Sequence, residues 1–75
     1  MSKSSHSARY DRLRELLIQS RRDAGLTQAQ LAAKLQKPQS FVSKYENGER
    51  RLDVVECLEV AEAIGTDPIS LIQQL

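Results

Sequence analysis

A short polar run in the middle of the chain carries side chains of the kinds that recognise nucleic-acid bases. The stretch QSFVSKYENG has several of them at a spacing that places them on one face of a helix, namely Gln39, Ser40, Ser43 and Lys44. A glutamine amide can form paired hydrogen bonds with adenine, a lysine ammonium can reach guanine, and a serine hydroxyl is permissive. Phe41 beside them could contact the methyl group of thymine. The alternative is that these are ordinary exposed residues of an amphipathic helix.

Two helices joined by the short link QKP would carry this run. Thr27 is a suitable N-cap for the helix QAQLAAKL, and Pro38 presets the backbone for a third helix at about residues 39–46. Asn47 and Gly48 then end that helix. Two helices joined by about three or four residues cross at a steep angle, so the second can protrude from the domain.

Three more helices complete the predicted fold. Apolar periodicity and turn signals place them at residues 8–24, at 54–64 and from residue 68 to the C-terminus. No stretch has the pattern of a strand. We therefore expect one all-α domain, a compact bundle of five helices over residues 9–75, after a disordered and weakly basic tail over residues 1–8.

Composition limits the classes of function. The single cysteine, Cys57, cannot form an internal disulfide, which favours a reducing, cytoplasmic setting. No run is long and apolar enough to cross a membrane, and MSKSSHSARY lacks the apolar segment of a secretion signal. The sequence has no His/Cys cluster with zinc spacing, no nucleophile–base pair and no phosphate-binding glycine loop. We expect neither an enzyme nor a metal or other cofactor.

Charge is divided unevenly along the chain. Residues 1–51 hold all 11 Lys and Arg and have a net charge of +6, whereas residues 52–75 have −5, and together they give the +1 of the whole chain. Such a division predicts a basic side for an anionic partner and an acidic side that faces elsewhere. Ordinary solvated surface is the alternative interpretation.

The stretch LTQAQLAAKL…SFVSKYENGERR resembles the helix-turn-helix of phage-repressor DNA-binding domains of the Cro and XRE type. The resemblance covers roughly residues 9–72, and the combination of LTQxxLA with VSxxENG is more specific than a generic helix–turn–helix period. It implies a lambda-repressor-like bundle with the helix-turn-helix at helices 2–3. It also implies a dimer that binds double-stranded operator DNA with its third helix in the major groove.

The resemblance and the chemistry of the residues together assign candidate roles. Base contacts are expected from Gln39, Ser40, Phe41, Ser43 and Lys44, and phosphate contacts from Gln28, Arg22, Asn47, Arg50 and Arg51. Arg21 lies where the family has an arginine paired with the glutamate of ENG, here Glu46. That ion pair would be structural.

Two positions depart from the family pattern. Gln36 stands at the turn after the second helix, where the family usually has glycine. Either it is left-handed, at a cost of about 1 kcal/mol, or the turn has a different shape. Pro38 stands where the family favours a Ser or Thr cap for the third helix. Both positions bear on the angle of that helix, and so on which side chain meets which base.

The last third of the chain predicts a second copy as partner. Its apolar residues spread over more than one helix face, which is more than a bundle of this size can easily bury. The expected dimer interface comprises Val54, Cys57, Leu58, Ile69, Ile72 and Leu75. A two-fold dimer would place its reading helices about 34–36 Å apart, on an inverted repeat. Internal packing of these residues is the alternative, and for Cys57 a redox-active thiol is another.

These observations predict a sequence-specific, homodimeric transcriptional regulator on an inverted-repeat operator, with repression as the expected mode. No sensor segment is evident, so no small-molecule effector is expected. The competing hypothesis is an antitoxin-like or accessory module that grips another protein with its apolar C-terminal end. Such a module would bind DNA only weakly.

Overall fold

The computed structural model describes residues 7–75, and this part of the chain is all α-helical, as predicted. The helices are α1 (Ala8–Asp23), α2 (Gln28–Leu35), α3 (Gln39–Glu46), α4 (Val54–Ile64) and α5 (Pro68–Gln73). Within residues 7–75 there is no strand. The disordered tail expected at residues 1–8 lies outside the described residues except for its last two. Ser7 caps α1 and Ala8 begins it, so these two belong to the folded domain.

Side-chain caps explain where most of the helices begin. Thr27 accepts a hydrogen bond from the backbone N–H of Gln30, whose side chain accepts one in return from the N–H of Thr27. Asp53 and Glu56 form the same reciprocal pair at α4. Such a box satisfies amides that the first turn of a helix leaves without a partner. By contrast the N-cap of α3 is Pro38, which makes no side-chain cap, so the position of α3 depends on packing.

The turn between α2 and α3 contains the left-handed residue that the sequence raised as a possibility. Gln36 has φ 58° and ψ 43°, and it is the one residue other than glycine with positive φ in the described part of the chain. In this conformation the N–H of Lys37 donates to the carbonyl of Ala32 at 3.0 Å, which closes the helix end. The turn is therefore tight although it lacks the usual glycine.

The core lies where all five helices of residues 7–75 meet. Its buried apolar residues are Leu17, Leu31, Ala32, Val42, Tyr45, Val60, Ala61, Ile64 and Leu71. The small side chain of Ala32, only 2% exposed, allows its helix to approach its neighbours closely. Because Val42 and Tyr45 are both fully buried, one face of α3 is fixed inside the domain.

Replacing Gln36 by glycine is expected to raise the free energy of unfolding by about 1 kcal/mol, because glycine adopts the left-handed conformation without strain. The exposed side chain of Gln36 contributes no core packing to lose. Urea denaturation followed by circular dichroism would measure the change. The matched control is Ala33→Gly, at an exposed right-handed position of α2, which should lower stability by about 1 kcal/mol. Destabilisation by both substitutions would contradict the assignment of strain to Gln36.

Candidate nucleic-acid interface

The outward face of α3 collects the hydrogen-bonding side chains that the sequence singled out. Gln39, Ser40 and Lys44 are exposed and Ser43 is half-buried. The Ser43 hydroxyl is 3.4 Å from the Ser40 carbonyl, a long contact that leaves it able to turn towards another acceptor. The face therefore offers an amide, two hydroxyls and an ammonium group side by side.

The opposite face of α3 is held by a buried carboxylate. Glu46 accepts hydrogen bonds from Arg21 Nε at 2.7 Å and from Arg21 Nη2 at 3.1 Å, the paired geometry in which a guanidinium binds a carboxylate most strongly. Gln28 Nε2 donates to the same carboxylate at 2.9 Å. Arg21 Nη1 also donates to the carbonyl of Leu26. Since Arg21 and Glu46 are 8% and 7% exposed, this ion pair lies inside the protein and joins α1, α2 and α3.

A second arginine of α1 holds the end of α3, and the sequence analysis did not assign it a role. Arg14 Nη1 donates to the carbonyl of Glu46 at 2.9 Å, and Arg14 Nη2 pairs with Asp11 at 3.2 Å. Its guanidinium also faces Gly48, whose φ of +87° strongly favours glycine. The available signal was the seven-residue spacing from Arg14 to Arg21, which places both side chains on one face of α1.

The candidate phosphate-binding residues differ in their surroundings. Arg22 and Asn47 are exposed, and the Asn47 side chain accepts a hydrogen bond from the N–H of Glu49 at 3.2 Å. Gln28 is half-buried and already donates to Glu46. Arg51 is exposed, with its guanidinium carbon 4.0 Å from the ring centroid of Tyr10. Their contacts with phosphate stay predictions.

Phe41 and Arg50 are engaged with the protein itself. The Phe41 ring is half-buried and meets Tyr45 edge-on, with 5.7 Å between ring centroids. Lys37 and Arg50 both place their cationic groups near that ring. Arg50 also forms a two-pronged ion pair with Glu56, and its hydrogen bond lowers the pKa of Glu56 to about 2. A base contact by Phe41 stays a prediction, although its ring contributes to packing on the flank of α3.

An apolar surface covers the end of the domain formed by α4 and α5. Of the expected interface residues, those exposed are Val54, Leu58, Ile69, Ile72 and Leu75. All of these except Ile69 line a cleft of about 220 Å³, whose walls are mainly apolar side chains of α1, α4 and α5. Cys57 lines this cleft half-buried, and burial raises the pKa of its thiol. The thiol is thereby kept protonated, which favours packing over redox chemistry at this residue.

Two further observations concern the described residues alone. In residues 7–75 no group of His, Cys, Asp and Glu side chains is arranged to hold a metal ion. No helix in that range has the length and apolar character needed to span a membrane.

Removing one partner of the Arg21–Glu46 pair should destabilise the domain strongly. We expect Arg21→Ala to lower the free energy of unfolding by about 3–5 kcal/mol, because it leaves the Glu46 carboxylate buried without its cation. The double variant Arg21→Met, Glu46→Leu strands no charge and should lose much less. Chemical denaturation of both proteins gives the comparison. Equal losses would show that packing volume, rather than the stranded charge, governs this site.

Comparison with known proteins adds independent findings. The helix-turn-helix family model HTH_3 matches residues 17–71, which is most of the chain. A solved structure of an "XRE-family like protein" from Pseudomonas syringae pv. tomato str. DC3000 is 55% identical and superposes with a TM-score of 0.87. The match covers 89% of this chain and 82% of that one. No curated protein matches the chain.

Proposed function

Because the chain belongs to the XRE type of helix-turn-helix family, whose members are DNA-binding regulators of transcription, we propose that it represses transcription as a homodimer on an inverted-repeat operator. The observation that carries the proposal is the two-sided character of α3. One face is fixed in the core through Val42, Tyr45 and Glu46, and the other offers exposed polar groups to a partner. Binding across a promoter would exclude the polymerase.

In this proposal the exposed face of α3 reads the sequence from the major groove. Gln39 and Lys44 offer the groups that suit adenine and guanine, and Ser40 and Ser43 adapt to either. Arg22, Asn47 and Arg51 would hold the phosphates, and Gln28 would add an amide at the start of α2. The stacking of Arg51 on Tyr10 supports this role, since it limits the positions that the guanidinium can take.

The distribution of charge supports the same orientation. All Lys and Arg of the chain precede Leu52, whereas residues 52–75, which include α4 and α5, contain acidic residues and no basic ones. DNA would attract the first part and repel the second. The apolar surface then lies on the acidic part of the chain, and Arg51, which also lines its cleft, marks its border with the DNA-binding side.

We propose that a second copy of the chain covers this apolar surface. Val54, Ile69 and Ile72 are 76%, 59% and 58% exposed, unusually high fractions for large apolar side chains, and Val54 and Ile72 line the same cleft. A two-fold contact between identical surfaces would bury them, with Cys57 and Leu58 beside them. It would also join two reading helices, as an inverted repeat requires.

Selection of genomic fragments by the purified protein, followed by mobility-shift assays at two salt concentrations, tests the proposal. We expect one family of inverted repeats to be enriched and to bind more tightly than a scrambled duplex of equal length. Affinity for that site should fall steeply with salt, because phosphate contacts release counterions. Equal affinity for selected and scrambled duplexes, together with tight binding to another protein, would instead support the protein-interaction hypothesis.

The Lys44→Ala variant should weaken binding to the selected site by about 1–3 kcal/mol and relax the preference at one base position. The physical reason is the loss of a base contact, which phosphate contacts cannot replace. Repeating the selection with the variant measures the preference directly. Lys34→Ala, which removes the same charge from an exposed position of α2, is the control and should keep the original preference. An unchanged preference in the Lys44 variant would remove this residue from the reading set.

The Ile72→Asp variant should weaken the dimer by at least about tenfold, because it places a charge within the proposed apolar contact. The domain should stay folded, since Ile72 is largely exposed. Sedimentation equilibrium of both proteins measures the dissociation constant. Ser70→Asp adds the same charge to an exposed position of the same helix and should have little effect. An unchanged dimer in the Ile72 variant would place the interface elsewhere.

A further inference from the structure

The guanidinium of Arg50 is partly exposed, but groups of the protein itself already bind it. Its Nη1 and Nη2 lie 3.0 Å and 2.7 Å from the two carboxylate oxygens of Glu56, and Nη1 also donates to the carbonyl of Arg51 at 2.9 Å. The sequence predicts this residue as a phosphate contact. A phosphate that approached it would meet a compensated ion pair, whose carboxylate repels it, rather than an uncompensated cation.

The partner of Arg50 is itself fixed. Glu56 closes the capping box of α4, since its carboxylate accepts from the N–H of Asp53 at 3.0 Å and its own N–H donates to Asp53 at 2.7 Å. The Glu56 side chain is 18% exposed, compared with 41% for Arg50. The start of α4 therefore holds the carboxylate in place, and the guanidinium is drawn to it.

The other contacts of Arg50 lead back to α3. Its guanidinium carbon lies 4.7 Å from the ring centroid of Phe41, within the range of a cation–π interaction. The Phe41 ring in turn packs on Tyr45. The backbone N–H of Arg50 donates to the carbonyl of Lys44 at 3.2 Å, in the last turn of α3. The side chain of Arg50 thus joins α3 to the first turn of α4, and its backbone adds a second contact with α3.

We propose that Arg50 is a positioning residue: through Phe41 and Glu56 it sets the angle of α3, and so the sequence selectivity of binding, without contacting phosphate. The inference rests on the proposed function, because it concerns how α3 is presented to DNA. It separates two neighbouring arginines that look equivalent in the sequence. Arg51 supplies charge to the DNA backbone, and Arg50 supplies geometry to the reading helix.

Two readouts separate these roles, and both use the full chain. The first is the ratio of affinities for the selected duplex and a scrambled duplex of equal length. The second is the steepness with which log affinity decreases as log salt concentration rises. This steepness falls by about 0.9 for each phosphate contact that is lost. A residue that only stabilises the fold changes neither, provided that binding is measured well below the unfolding temperature.

For Arg50→Ala we expect the affinity ratio to fall by about tenfold, since a misplaced base contact costs about as much as a mismatched base pair. The salt slope should stay as it is in the unchanged protein. Arg51→Ala is the matched control, and its slope should fall by about 0.9 while both duplexes lose affinity alike.

Glu56→Gln tests the same link from the other side and remains informative if Arg50→Ala does not fold. Glutamine can keep the capping box but cannot pair with a guanidinium as an anion. If Arg50 is a positioning residue, the ratio of affinities for the selected and scrambled duplexes should be lower in this variant than in the unchanged protein. It should be lower even though the variant has lost a negative charge. A phosphate contact predicts the opposite, because the released Arg50 would strengthen binding to both duplexes without lowering the ratio.

The outcomes distinguish a failure of the positioning role of Arg50 from a failure of the proposed function. A slope that falls by about 0.9 in Arg50→Ala, with the affinity ratio retained, would overturn the positioning role and leave the proposed function intact. An undiminished ratio in Glu56→Gln would do the same. Equal affinity of the unchanged protein for the selected and scrambled duplexes would overturn the proposed function, and the inference with it.

Discussion

The buried carboxylate of Glu46 is the interaction on which the arrangement of this domain depends. It lies at the end of α3, and it receives donors from Arg21 in α1 and Gln28 in α2. A carboxylate in such a place loses its hydration, so it is tolerated only where charge and hydrogen bonds replace the water. Those replacements are directional, unlike apolar contacts. The pair therefore constrains how three helices meet, in addition to holding them together.

The constraint gives α3 two separate tasks. Its inner face is held in the domain, because Val42 and Tyr45 fill the core while Glu46 and Arg14 secure its last turn. Its outer face carries side chains that make little contribution to folding. An exposed residue such as Gln39 or Lys44 can then be exchanged for another polar residue with little effect on stability. Exchanges on this outer face would therefore leave the scaffold of the domain unchanged.

The sequence predicted the helices well and the partners of charged side chains less well. Apolar spacing, the caps Thr27 and Asp53 and the turn at Asn47 are local features, so the positions of the helices follow from residues a few places apart. The left-handed Gln36 was one of two possibilities, raised because the family usually has glycine at this turn. The pairing of Arg50 with Glu56 was not predicted, since it depends on how the loop after α3 folds back on α4.

The burial of the Arg21–Glu46 pair also separates two responses to dissolved ions. Electrolyte weakens attraction between charges that water surrounds, and it acts far less on charges enclosed by protein. Exposed groups such as Arg22 are surrounded by water, so salt screens them. Arg21 and Glu46, which are only 8% and 7% exposed, are enclosed by protein, so salt screens them far less. A salt concentration high enough to release the protein from a polyanion would therefore leave its fold intact. Release and rebinding then require no refolding.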